Sequence, residues 1–286
     1  MYRTPSQFTL EIAAGSGFRI MNRESQRGVE SAMVRNSAMV AADRPENVPG
    51  YAGADVFAFD PGAFDPAALQ RGEKITVGGR PAFFTTGLTL PDGINGNMVV
   101  GATTGVGWQT DQNAWVVVAG DPEDTREQLL QVAEGVRLHA PEEARAPFRF
   151  TGLPAGQELT FLSLTGVHVQ IGFGEGGVPS VAGLPRQLPL SAHVYPTSNP
   201  DWSAISHDLG EPTVIGDFAT WYPPRPNGTY GGTDTGADMI VRTGGCVLEL
   251  HTDNRMQITR QDLTAVVEHT TIGDCTDPAG WLPLIG

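Results

Sequence analysis

TREQLLQVAE at 125–134 and TRQDLTAVVE at 259–268 are the stretches that decide how this chain is built. Each opens on a threonine three residues ahead of a Gln or an Asp. That is capping-box spacing, in which two side chains satisfy the orphan N–H groups at the start of a helix. Thr125 is thereby matched to Gln128, and Thr259 to Asp262. Asp121, Glu123 and Asp124 sit at the positive end of the first helix dipole. Leu129, Val132, Ala133 and Val136 follow at helical spacing, giving one apolar face to lay on a sheet. Thr, Arg, Leu, Val and Glu recur at the same places in both stretches, which predicts one structural unit occurring twice.

Two further blocks recur in the same order. GEKITVGGRPAFF (72–84) matches GEPTVIGDFATWY (210–222), and Phe8-Thr9 matches Phe150-Thr151 more weakly. In the first copy, Gly78-Gly79 predicts a hairpin turn between KITVGG (74–79) and PAFFTTG (81–87). FDPAALQRG (64–72) reads as a short helix, with Asp65 as N-cap, Pro66 at the first position and Gly72 as the stop. NPDWSAISHDLGE (199–211) takes its place in the second copy, and ADMIVRTGGCVLELHTD (237–253) reads as a hairpin. With 36 Gly and 22 Pro, turns are frequent and strands short. The expected fold class is α+β: two tandemly duplicated domains, each a twisted antiparallel sheet covered by a long closing helix plus one short helix. The first spans 1–140, the proline-flanked segment 141–147 is a linker, and the second spans 148–286.

The net charge is −14, so a phosphate backbone is repelled and nucleic acid is excluded as a partner. No apolar run approaches the roughly 18–20 residues that span a bilayer. The opening MYRTPSQFTLEIAAG lacks a charged region followed by an apolar one. Two locations follow: extracytoplasmic, with a signal or anchor trimmed from this sequence, or cytoplasmic if Met1 is the native start. The only two cysteines are Cys246, in a strand-like CVLEL, and Cys275, in TIGDCTDPAG after the second repeated helix. A disulfide closing that loop would contribute about 3–4 kcal/mol on the chain-entropy account. Two separate buried thiols remain the alternative. The disulfide is the reading taken, and it favours an extracytoplasmic setting.

Motifs for chemistry are sparse. Gly172, Gly174 and Gly177 satisfy G-x-G-x-x-G, but VPSVAGLP follows where a nucleotide site needs a helix, so a flexible turn is expected. The histidines His139, His168, His193, His207, His251 and His269 show no close metal-ligand spacing. Ser206-His207-Asp208 cannot face one another as a triad, being adjacent. Asp234 and Asp238 resemble a calcium loop only loosely, without its bidentate Glu. Asn227-Gly228-Thr229 is a glycosylation sequon. Neither a metal nor another cofactor is expected. WYPPRPNGTYGG (221–232) places Trp221, Tyr222, Arg225 and Tyr230 on a proline-stiffened loop. With Trp108 and Trp202 they form the candidate set for ligand or partner binding, since aromatics and Arg dominate contact hot spots.

The order ITVGGRPAFF, VGW, AWVVVAG, TREQLLQVAEGVRL resembles a group of uncharacterised actinobacterial extracytoplasmic proteins, usually tethered by one N-terminal transmembrane helix. Val77, Gly79, Pro81, Trp108, Leu129, Val132, Ala133 and Glu134 stand at the positions that carry the resemblance. The second copy keeps Gly216, Leu263, Val266 and Glu268, lacks the Pro and the Trp strand, and ends in WLPL (281–284). The resemblance implies an anchored, non-enzymatic module outside the cytoplasm. The expected function is therefore binding of a small molecule, lipid or protein, in sensing or interaction. Two alternatives stand beside it: a hydrolase in which Asp201, His207, Asp208 and Asp234 converge, and a structural envelope or assembly component.

Overall fold

A computed structural model of the chain describes residues 4–40, 53–90, 103–120, 124–175, 190–223, 238–252 and 258–284. These fall into two units, the first running to Glu142 and the second beginning at Glu143. The first contains β1 (Gln7–Ile12), β2 (Phe18–Gln26), β3 (Val29–Asn36), α1 (Ser37–Val40), β4 (Gly53–Phe59) and α2 (Ala67–Gln70). It continues with β5 (Glu73–Val77), β6 (Arg80–Leu88), β7 (Thr103–Gln109), β8 (Trp115–Gly120), α3 (Arg126–Gly135) and β9 (Val136–Glu143).

Seven of these strands pair in the order β2-β3-β4-β8-β7-β6-β5, with antiparallel neighbours, while β1 pairs with β9. TTGVGWQ and WVVVAG, the sequences of β7 and β8, are buried on both faces except at Gln109. A helix covers each side. Leu129, Val132 and Ala133 of α3 pack on one face with Val56, Val106, Trp108 and Val118. Leu69 of α2 packs on the other with Phe57, Phe59, Trp115 and Val117. Gly107 permits this approach, because a Cβ there would lie 2.4 Å from Leu69 Cδ2 and 3.0 Å from the Val116 carbonyl oxygen. At the β5–β6 turn, Gly78 (φ 54) and Gly79 (φ 81) both take left-handed backbone, the geometry of a two-residue hairpin.

The second unit contains β10 (Arg145–Ala146), β11 (Phe148–Phe150), β12 (Gln157–Thr165), β13 (His168–Glu175), β14 (Leu190–Pro196) and α4 (Pro200–Ser206). After these come β15 (Thr213–Ile215), β16 (Phe218–Trp221), β17 (Asp238–Arg242), β18 (Cys246–Thr252), α5 (Arg260–Glu268), β19 (Thr270–Ile272) and β20 (Leu282–Pro283). Its seven-strand order is β12-β13-β14-β18-β17-β16-β15, and β11 pairs with β19. Strand for strand, that is the pairing order of the first unit. β10 pairs with β20 near the chain's end. Cys246 and Cys275 are bonded, with Cα atoms 5.4 Å apart and both side chains fully buried. The bond ties β18 to the segment after β19.

The expected α+β class is overturned, because the described chain is predominantly β. Fourteen strands, seven per unit, make up the main sheets, whereas α3 has ten residues, α5 nine, α4 seven, and α1 and α2 four each. Neither closing helix is long. Both capping boxes form, at Thr125–Gln128 and Thr259–Asp262, but a cap fixes where a helix begins and says nothing about its length. Val136, β-branched, takes extended backbone (φ −69, ψ 133) and turns α3 directly into β9. The helices are braces, while lateral pairing of many β-branched runs builds the bulk of the fold.

Other expectations are also placed. Residues 141–147 carry the end of β9 and all of β10. Gly172 and Gly174 lie inside β13 and not in a turn, and Gly177 falls outside the described residues. Among the described residues, no helix is long and apolar enough to cross a membrane.

Candidate functional site

Alternation along the strands of the second unit gives its sheet two unlike faces. Leu190, Ala192, Val194, Leu248 and Leu250 are fully buried, or nearly so, on one of them. The residues between them, Ser191, His193 and Tyr195 on β14 and Val247, Glu249 and His251 on β18, point to the opposite face. Strand register sets His193 against Glu249, Ser191 against His251, and Asp238 of β17 against His251. One end of this face is capped by α4, whose Trp202 packs with Tyr195, Ile240, Val247 and Trp221. Asn199 caps α4 by accepting the Asp201 N–H at 2.9 Å, with Pro200 in the first turn.

Beyond the cap lies a cluster of polar side chains. His251 Nδ1 is 3.0 Å from Asp238 Oδ1, and its Nε2 is 3.4 Å from Glu249 Oε2. Glu249 accepts a further bond from the Tyr195 hydroxyl through Oε1. The His168 ring stacks on Tyr195 at 6.3 Å between centroids, and His193 meets the same ring edge-on at 5.9 Å. Imidazoles from three strands therefore gather around one tyrosine and one glutamate.

Their charges differ. Burial works against the cation on His251, but its bonds to Asp238 and Glu249 and their charges outweigh it, lifting the pKa to about 9. With both ring nitrogens facing carboxylates, the imidazolium is the neutral-pH form. Burial lowers the pKa of His193; the Glu249 charge opposes this, and His251 and His168 add to it. Burial raises Glu249, yet hydrogen bonds from His251 and Tyr195 leave its pKa below the ordinary carboxylate value. One cationic and one neutral histidine thus stand beside the same ionised carboxylate.

In the first unit the corresponding face, under α2, is closed by rings. Phe57 stands opposite Val117, and Phe59 opposite Trp115. Phe59 stacks on Phe64 at 4.6 Å. The same strand order is therefore compatible with an apolar face, and the fold does not demand His193 or Glu249.

The sequence-expected residues are scattered. Trp108 is 2% exposed in the core of the first unit, with the Arg80 guanidinium 4.6 Å from its ring centroid. Trp202 and Trp221 stand 5.8 Å apart beside the polar cluster, and Trp221 Nε1 donates to the Gly210 carbonyl at 3.0 Å. Arg242 lies over Trp202. Tyr222 bonds Thr264 across to α5 and lies beneath Arg260. Arg225, Tyr230, Asn227 and Asp234 fall outside the described residues. Of the hydrolase set, Asp201 acts on His193 through its charge, while His207 and Asp208 close the far end of α4. Sequence reasoning missed the cluster itself. The alternation His193/Tyr195 against Glu249/His251 was visible in AHVYP and LELHT, but only strand pairing shows that they are neighbours.

No three His, Cys, Asp or Glu side chains among the described residues are placed to hold a metal ion. Comparison with protein-family models, curated proteins and solved structures yields no match.

Proposed function

We propose that this chain is a non-enzymatic binding module that takes a small polar ligand on the α4 face of its second unit. One observation carries the reading. At the position where the first unit closes its sheet with Phe57 and Val117, the second exposes part of a His193–Glu249 pair within a ring of polar groups. Burying polar groups carries a free-energy cost unless they are satisfied, so a fold that tolerates phenylalanine there has no structural need for them. Imidazole and carboxylate supply both hydrogen-bond donors and acceptors, with Trp221 at the edge for apolar contact. The engagement of Glu249 by Tyr195 and His251 suits a fixed recognition surface better than a hydrolytic base. The disulfide supports an extracytoplasmic location, in keeping with the resemblance to anchored extracytoplasmic proteins.

The test is native mass spectrometry of protein from its own host, joined to a thermal-shift screen of polar metabolites. The reading expects a bound mass or a stabilising compound whose effect is lost in His193→Phe and Glu249→Gln. Clean mass, with no compound shifting the melt, overturns it and favours the structural-component alternative.

A further inference from the structure

His193 stands at the middle of the polar face, and each element around it brings a titratable or charged group. Its own strand supplies Tyr195, β13 supplies His168, and β18 supplies Glu249 and His251. One strand further, β17 supplies Asp238 and Arg242, and α4 contributes Asp201. With His193 neutral, three carboxylates outnumber the two cations His251 and Arg242.

We propose that His193 is a proton gate for this face, switching it between a neutral-pH state that accepts hydrogen bonds from a ligand and an acid state that releases it. The proposal rests on the binding reading above for the ligand, and on geometry alone for the switch. A neutral imidazole accepts through one nitrogen and donates through the other, whereas an imidazolium only donates. Protonation therefore removes the acceptor a bound hydroxyl or amide would use. It also cancels the surplus of negative charge on the face and sets a second imidazolium beside that of His251. Burial of His193 disfavours its charged form, which places the transition on the acid side of an ordinary histidine.

Tyr195 links the gate to the rest of the face. The same ring that meets His193 edge-on also packs against Trp202 of α4. A change in charge at His193 thus reaches α4 through one side chain.

The experiment is a histidine and tryptophan side-chain NMR titration of the whole chain from about pH 10 to about pH 5. Signals are assigned with His193→Gln and Trp202→Phe. The His193 ring and the Trp202 indole are expected to shift together, with one midpoint below about 6.5. His193→Gln, which keeps an acceptor and a donor, is expected to abolish the Trp202 shift while His251 still titrates near its own higher value. A Trp202 signal that stays still as His193 titrates, or that moves equally in His193→Gln, overturns the gate. Because no ligand is added, a failed ligand screen sinks the binding reading without touching this result.

Discussion

His251 and Asp238 face each other across β18 and β17, with the imidazole Nδ1 3.0 Å from the carboxylate Oδ1. Together with Glu249 on the other ring nitrogen, this contact makes His251 a cation well above neutral pH, with a pKa of about 9 against an ordinary 6.5. A raised histidine stabilises the fold fully below its unfolded pKa, and that contribution is lost as pH rises through the folded one. The melting temperature is therefore expected to decline between about pH 6.5 and about pH 9. His251→Gln should flatten the decline. The His251 side chain keeps 42% of its surface exposed, so solvent screening holds the effect to a modest one. Thermal melts across that range check it.

His193 works in the opposite sense. Its folded pKa lies below the unfolded value, so the native state is weakened as pH falls below about 6.5, where the unfolded chain binds the proton more readily. His193→Phe, which copies the residue type at Phe57, is expected to remove this acid sensitivity and to raise or preserve the melting temperature. A melt that keeps its acid limb in the variant would show that another group is responsible.

Glu30 in the first unit is fully buried and accepts three bonds, from the Thr9 N–H at 2.7 Å, the Thr9 hydroxyl at 2.8 Å and the Leu10 N–H at 2.9 Å. It fastens β1 to β3. Glu30→Ala removes the acceptor of three buried bonds, and each lost bond costs about 1–3 kcal/mol. The variant is expected to lose at least about 3 kcal/mol in urea denaturation, and Glu30→Gln clearly less. Equal losses in the two would contradict the hydrogen-bond account.

Reduction of Cys246–Cys275, or the double change to serine, is expected to cost about 3–4 kcal/mol, the loop-closure contribution for a bond of this span. Both sulfurs are buried, so the native protein should show no reactive thiol and should require denaturant before a mild reductant acts. Thiol counting before and after unfolding checks both statements.

Thr125→Ala and Thr259→Ala each remove a capping box. A loss of about 1 kcal/mol is expected for each, measured by denaturation. Because the two helices brace different units, the losses should add in the double variant.

Much of the local structure was legible in the chain. The capping threonines mark the first residues of α3 and α5, and Gly78-Gly79 marks the β5–β6 turn. Asn199-Pro200 marks the start of α4. These signals are local because a side chain there satisfies a backbone group a few residues away. What misled was weight: two well-capped helices stand out in a sequence, whereas many short strands do not, and the fold class followed the helices. The polar cluster of the second unit escaped sequence reading for the same reason. Trp108 drew notice as a large aromatic and lies in the core, while His193 and His251 were weighed only for metal-ligand spacing and Glu249 drew no notice.

By itself the sequence determined the recurrence of TREQLLQVAE as TRQDLTAVVE, the helix starts, the hairpin turns and the two cysteines available to pair. Only the tertiary structure decided that β14 lies beside β18, 50 and more residues later in the chain, in the register that sets His193 against Glu249 and Ser191 against His251. Strand neighbours are chosen by burial of whole faces and by backbone pairing over long separations, and neither leaves a mark on the residues that end up touching.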